Sequence, residues 1–353
     1  MTGPPKSRLE TDKALGESVL LGLPLRESVR TYFGADAPWL DNSLAHPNLS
    51  DDYWKSTRHA AAFDRVSKPI LLIGGWYDLF LDQTMAQYYH LRDRGSMVKL
   101  IVGPWAHMGA AGPMRIPTVL DFLDEYVAGR RRQSQTDHVQ IFVTGADKWQ
   151  SMSSWPPATK PITWYLQEGN SLSTEAPPAD AMSSSFTFNP AKPTPTIGGP
   201  LLNDGGQADD SAYTTRSDVL VYTTGPLEED VEVRGRPMLE LAHSSDVPHV
   251  DLFVRLSEVN VSGVSHNITE QFQALTPARS QPAKVKLEML DCAHRFKKGT
   301  SMRLIIAGGS FPHYAPSLGI DGNRTTGSVS QCAQHTIGHA KGSSKVTFPV
   351  LLP

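Results

Sequence analysis

At 353 residues with 39% hydrophobic side chains, the chain is long enough for at least two cores. Its formal net charge of −3 leaves no basic footprint for a nucleic acid. Its two cysteines, Cys292 and Cys332, fit neither a disulfide framework nor a zinc cluster, though a single bridge between them stays open.

Residues 1–66 read as short helices and loops. The start, MTGPPKSRLETDK, is polar and lacks the apolar core of a leader, so the expected location is the cytoplasm. No run in the chain approaches the roughly 18 apolar residues of a membrane span, so no membrane partner is expected. DKALGESVLLGL and DDYWKSTRHAAAFDRV have helical spacing, with Ser50-Asp51-Asp52 as a helix start.

Residues 67–150 change character. KPILLIGGWYD is an apolar run ending in glycines, as a buried parallel strand reads. DQTMAQYYHLRDRG predicts an amphipathic helix stopped by Gly95. MVKLIVGPWAH predicts a second buried strand. PTVLDFLDEYVAGR predicts a second helix, with Pro117 near its start and Gly129 after its end. HVQIFVTGADKW adds one more strand. The alternation predicts a parallel sheet segment. From 151 onward, short alternating runs split by Pro, Gly and Asn predict a β-sandwich of jelly-roll type.

Asp78 and His107 stand at the carboxyl ends of the two apolar runs, where open parallel sheets place functional groups. Strands successive in sequence are often neighbours, so the two side chains can meet. A carboxylate that holds one imidazole nitrogen fixes the tautomer and leaves the other nitrogen to act as a base toward a hydroxyl. A hydrolase triad of the order Ser, Asp, His needs an earlier serine on a strained G-x-S-x-G turn. The serines before Asp78 are Ser7, Ser18, Ser28, Ser43, Ser50, Ser56 and Ser67, and none lies in such a turn. Taken singly, an Asp at a strand end is commonly a helix cap and a lone His is usually structural.

The paired segments KPILLIGGWYDLF and VKLIVGPWAHMG resemble the CocE/NonD family of serine hydrolases. The likeness extends to HPNLSDDYW, HVQIFVTGADKWQSMSSWPP, ITWYLQEGNSLS, PHVDLFVRLSEV and SMRLIIAGGSFPHY, from about residue 45 to the C-terminus. It implies an α/β plus all-β fold. Residues 1–66 would be a helical cap remnant, 67–150 the C-terminal part of an α/β-hydrolase domain and 151–353 a jelly-roll β-sandwich. It implies Asp78 as triad acid, His107 as triad base and Phe80 as a wall of the acyl pocket. The substrate would be a small-molecule ester or an amide, including Xaa-Pro dipeptidyl bonds, cleaved through an acyl-enzyme without cofactor or metal. The half that carries nucleophile and oxyanion donors in that family has no match here. The expectation is a chain inactive alone, arising from truncation, degeneration or a split enzyme whose other half is a second chain. The sheet would then be left with an unpaired edge near residues 70–73. The competing reading is a non-catalytic β-sandwich that binds carbohydrate or protein and keeps a relic Asp–His pair.

Two other constellations carry less. His243, His249 and Asp251 are metal-ligating types at a spacing that matches no tight motif. Sequons begin at Asn48, Asn267 and Asn323 and matter only in a secreted chain.

Overall fold

A computed structural model describes residues 16–35, 38–46, 48–110, 112, 115–130, 138–275, 280, 282–321 and 324–352. The sequon at Asn323 lies outside them. No helix among the described residues is long and apolar enough to cross a membrane.

The first segment is helical from 16 to 21 and then forms α1 (Leu25–Phe33) and α2 (Pro38–Ala45). The expected helix over 51–66 is broken into a 3₁₀ turn, Asp52–Thr57, and the short α3 (Ala60–Phe63). Asp51 does start it, accepting a hydrogen bond from Tyr53 N, but Arg58 is extended (φ −84°, ψ 110°) and interrupts the helix.

The parallel sheet is built from β1 (Ile70–Tyr77), β2 (Val98–Ala106), β3 (Val139–Val143) and β4 (Lys148–Met152), in that spatial order. The pairs β1–β2 and β2–β3 are parallel, and β4 returns antiparallel to β3. The stretch expected as one strand over 138–149 therefore turns back on itself. Gly145 (φ 76°) and Asp147 (φ 53°) make the turn. Between β1 and β2 runs α4 (Leu81–Asp93), whose Leu81, Met85, Tyr88 and Leu91 recur at helical spacing and pack on Leu72, Leu100, Val102 and Ile141. Gly95 ends this helix in the left-handed region (φ 74°), which explains why a glycine stands there. After β2 come α5 (His107–Ala110) and α6 (Ile116–Tyr126). A Lys99–Glu125 ion pair of 2.8 Å ties α6 to β2. Among the described residues β1 pairs along one side only, and Ile116, Leu120 and Leu123 of α6 are exposed.

The rest is all-β. In chain order the strands are β5 (Thr159–Gln167), β6 (Ser171–Ser173), β7 (Ser184–Phe188), β8 (Val219–Thr223), β9 (Val231–Gly235), β10 (Met238–Ser245), β11 (Val250–Val259) and β12 (Ser265–Leu275). They continue as β13 (Ala283–Glu288), β14 (Cys292–Phe296), β15 (Ser301–Ala307), β16 (Ala333–Gly338) and β17 (Lys345–Leu351). The main path runs β12-β11-β15-β8-β6-β5-β17-β10-β16-β7, nearly all antiparallel. Alternate residues such as Leu239, Leu241, Leu252, Val254, Leu304 and Ile306 fill its core. The mixed α/β and all-β character agrees with the sequence expectation.

The two parts are joined by main chain and by side chains. Thr144 N donates to Ala293 O (3.0 Å) and Arg295 N to Thr144 O (2.9 Å). Asp291 is fully buried and gathers donors from both parts. Its Oδ1 accepts from Tyr89 Oη (2.6 Å) and Trp155 Nε1 (2.9 Å), and its Oδ2 from Arg236 Nε (2.6 Å). The other side of Arg236 reaches Asp82 on α4 at 2.8 Å.

His243 and His335 form a second buried polar feature, with Nε2 and Nδ1 3.1 Å apart and Phe186 stacked on His335. Burial holds both neutral, lowering His243 to about 4 and His335 to about 3. The unfolded chain takes up these protons below about pH 6.5, whereas the folded chain resists until its lower values. Stability is therefore complete above pH 6.5 and falls as pH drops toward 4. At pH 5 the loss is about 2 kcal/mol for each histidine. Urea unfolding between pH 7 and 5 measures it, and in His243→Phe the slope should shrink.

His243 is thus committed to His335, while His249 pairs with Asp321 (3.3 Å) and Asp251 with Arg324 (2.5 Å). The three are not gathered into a ligand set among the described residues. Cys292 is buried and Cys332 exposed, and both are free thiols. Asn267 is buried, with its amide bonded to Ala208 N and Gly206 O, so its sequon is closed to a glycan in the folded chain.

Candidate active site

β1 and β2 deliver their last residues side by side. The register runs in step from Ile70–Val98 to Gly75–Gly103, then slips so that Tyr77 faces Ala106. The additional residue lies on β2, where Pro104 has no N–H to give the ladder. Such a bulge turns the strand end and re-aims the residues just beyond it, and here the first of those is His107.

At this point the main chains come close. A Cβ on Gly75 would sit 2.0 Å from the carbonyl oxygen of Trp105, and one on Gly103 would sit 2.4 Å from the indole of Trp105. Glycine at both positions is a steric requirement. Gly75→Ala should destabilise the chain by about 1–3 kcal/mol, as overpacking does, and a chemical denaturation midpoint checks it.

Asp78 is buried and His107 partly exposed. Asp78 Oδ1 lies 3.1 Å from His107 Nδ1. The same oxygen accepts a hydrogen bond from Phe80 N at 2.9 Å, which locks the carboxylate against its own turn. Asp78 is both the turn residue that its position suggests and the partner of the imidazole. Its carbonyl oxygen accepts from Leu81 N at the start of α4, whose positive end favours a carboxylate nearby. With Nδ1 held by Asp78, Nε2 of His107 is the nitrogen left for chemistry. It has no hydrogen-bond partner among the described residues. The exposed Phe80 stands edge-on to the imidazole, ring centres 5.2 Å apart. All three residues singled out in the sequence therefore meet at one place.

The tryptophans pack. Trp76 is buried against Trp155 and donates to Phe142 O (2.7 Å). Trp105 folds back over Gly103 and contacts Trp149. Two features were not found from sequence. One is the bulge, which Pro104 at a strand end could have signalled. The other is Tyr77, whose hydroxyl reaches Asn267 O on β12 at 3.4 Å and ties the strand that carries Asp78 to the all-β part. No sequence pattern announces that contact.

The arrangement can hold one imidazole in one tautomer, with its other nitrogen open to a hydroxyl. Comparisons with known proteins bear on what it serves. Residues 132–347 match the X-Pro dipeptidyl-peptidase C-terminal non-catalytic domain, and residues 6–109 match the X-Pro dipeptidyl-peptidase (S15 family). The cocaine esterase of Rhodococcus sp. (strain MB1 Bresler) is 27% identical over 346 residues, covering 87% of this chain and 58% of that protein. An aminopeptidase from a marine sediment Thaumarchaeota archaeon superposes with a TM-score of 0.83 at 19% identity, covering 100% of this chain and 65% of that one. An α-amino acid ester hydrolase does so with a TM-score of 0.80 at 20% identity, covering 94% and 64%. The chain spans little more than half the length of the curated relatives it matches.

Proposed function

The chain belongs to the CocE/NonD family of serine hydrolases, and from that premise we propose that Asp78 and His107 are the acid and base of an acyl-transfer triad. The observation that carries this is the 3.1 Å contact between Asp78 Oδ1 and His107 Nδ1, with Nε2 left open. His107 Nε2 takes the proton of a seryl hydroxyl as its oxygen attacks the carbonyl carbon of an ester or amide. The imidazolium, stabilised by Asp78, returns that proton to the departing alcohol or amine. Water then repeats the sequence on the acyl-enzyme and releases the acid. Phe80, exposed beside the imidazole, forms a wall for the acyl group.

The serine comes from polypeptide outside these 353 residues. No G-x-S-x-G turn occurs in the sequence, and no described serine bonds His107. The oxyanion donors come with it, so this chain alone is inactive. The one-sided pairing of β1 and the exposed face of α6 support a missing neighbour on that side of the sheet. Residues 1–66 are read as a helical cap remnant, 67–150 as the catalytic sheet and 151–353 as a jelly-roll β-sandwich. The antiparallel strand path and the matched non-catalytic domain support the last of these. Esters and Xaa-Pro peptides are both substrate candidates, on the names of the relatives.

A fluorophosphonate probe tests this. No label is expected on the chain alone. With a co-expressed polypeptide carrying a G-x-S-x-G elbow, label should appear on that polypeptide and vanish in His107→Ala. Label on this chain alone would refute an external nucleophile. Silence in both arms would favour the reading as a binding protein with a relic pair.

A further inference from the structure

Among the described residues Arg115 is an arginine without an acid. It immediately precedes α6, and its guanidinium carbon lies 3.5 Å from the centre of the Trp105 ring. Its Nε is buried and makes no hydrogen bond. Among the described residues no carboxylate pairs with it, whereas Arg216, Arg236, Arg255, Arg295 and Arg324 all have one. Burial disfavours its charge and lowers its pKa, and no anion among the described residues offsets this. The indole attracts the cation through its face, which leaves the planar edge, where the N–H groups point, for an acceptor. α6 supplies none, because its first turn has no acid and no side chain caps it.

The surroundings define the rest of a ligand. Trp105 contacts Trp149, with ring centres 5.5 Å apart, and Phe142 lies 5.5 Å from Trp149 on its other side. Trp149 is 45% exposed. An aromatic surface therefore adjoins an unpaired two-pronged donor. Trp105 lies on β2 two residues before His107, at the carboxyl ends of the parallel strands, where ligands of such sheets bind.

We propose that Arg115, seated on Trp105, whose ring in turn contacts Trp149, is a binding site for a carboxylate borne on an apolar body. The carboxylate would meet the guanidinium edge in the two-pronged geometry that matches both groups. The inference does not depend on His107 being catalytic, and its test involves no hydrolysis, so the two readings fail separately.

Arginine labelling by phenylglyoxal, mapped by mass spectrometry on the full chain, tests it. Glutarate should slow labelling of Arg115 by about tenfold, the scale of a charge-assisted hydrogen bond. Labelling of Arg216, already paired with Asp218, should not change. Glutaramide at matched ionic strength should do nothing. Two further probes identify the source of the acid. N-acetyl-alanyl-alanine offers a free carboxyl end, as a small substrate would. Acetyl-Ala-Glu-Ala-amide offers a side-chain acid, as a neighbouring polypeptide would. Protection by the first alone assigns a small-molecule acid, and by the second alone a polypeptide. Protection by both assigns the carboxylate irrespective of its bearer. Equal effects of glutarate and glutaramide, or no protection by any acid, would overturn the proposal. Arg115→Met should abolish, and Arg115→Lys weaken, the glutarate-dependent change in tryptophan fluorescence.

Discussion

Asp78→Asn should lower the acylation rate of the enzyme assembled with its nucleophile by about ten-thousandfold while leaving the fold intact. An amide accepts from Phe80 N as the carboxylate does, so the turn survives. What is lost is the negative charge facing Nδ1, 3.1 Å away, which stabilises the imidazolium as the seryl proton arrives. The amide can also present N–H to Nδ1 and select the wrong tautomer. His107→Ala removes the base itself and should cost about a millionfold. Single-turnover acylation with a chromogenic ester reads both effects. An Asp78→Asn enzyme that keeps a tenth of the rate would show that the pair is structural. Its KM should change little, since neither residue holds the substrate before the reaction.

The second large effect concerns stability. Arg255 is fully buried on β11 and bonds Glu270 of β12 through Nε (2.9 Å) and Nη2 (2.5 Å) and Ile197 O through Nη1 (2.5 Å). Asp210 stands 3.7 Å away, and the same carboxylate accepts from Ser257. Glu270→Ala leaves a buried guanidinium short of its main counter-charge and should cost about 3–5 kcal/mol. The triple variant Arg255→Met/Glu270→Leu/Asp210→Asn removes every charge of the cluster, Asp210 included because it would otherwise stay buried without its arginine, and should recover most of that loss, because neutral groups of similar volume replace buried ions at little cost. Urea titrations of the two variants decide it. Equal destabilisation in both would mean that packing, not charge, is the source.

The sequence carried the parts of this structure that rest on local pattern. The apolar runs at 70–73 and 98–102, the helix between them and the glycine that ends it depend on residue order alone, and each lies where the pattern put it. Asp78 and His107 were legible because strand ends in a parallel sheet converge. The helix over 51–66 was misread because its spacing says nothing about an extended Arg58. The strand over 138–149 was misread because one glycine and one aspartate with positive φ convert a run into a hairpin. The His243–His335 contact joins β10 and β16, and the Tyr77–Asn267 contact joins β1 and β12, so no window along the chain could reveal either. Arg115 was invisible for a different reason. Only a folded neighbourhood shows that an arginine lacks an acid.

The Asp291 clamp constrains how the chain can be divided. An excised module beginning at 151 would keep Arg236, Trp155 and Asp291 but forfeit Asp82 and Tyr89. It would also bare Trp155, Leu290 and Ala293, which lie in the core of the preceding sheet. Such a fragment would present an oily, charge-lined scar to solvent. Anyone seeking the all-β part as a stand-alone reagent should instead carry α4 along, or replace those residues with polar ones.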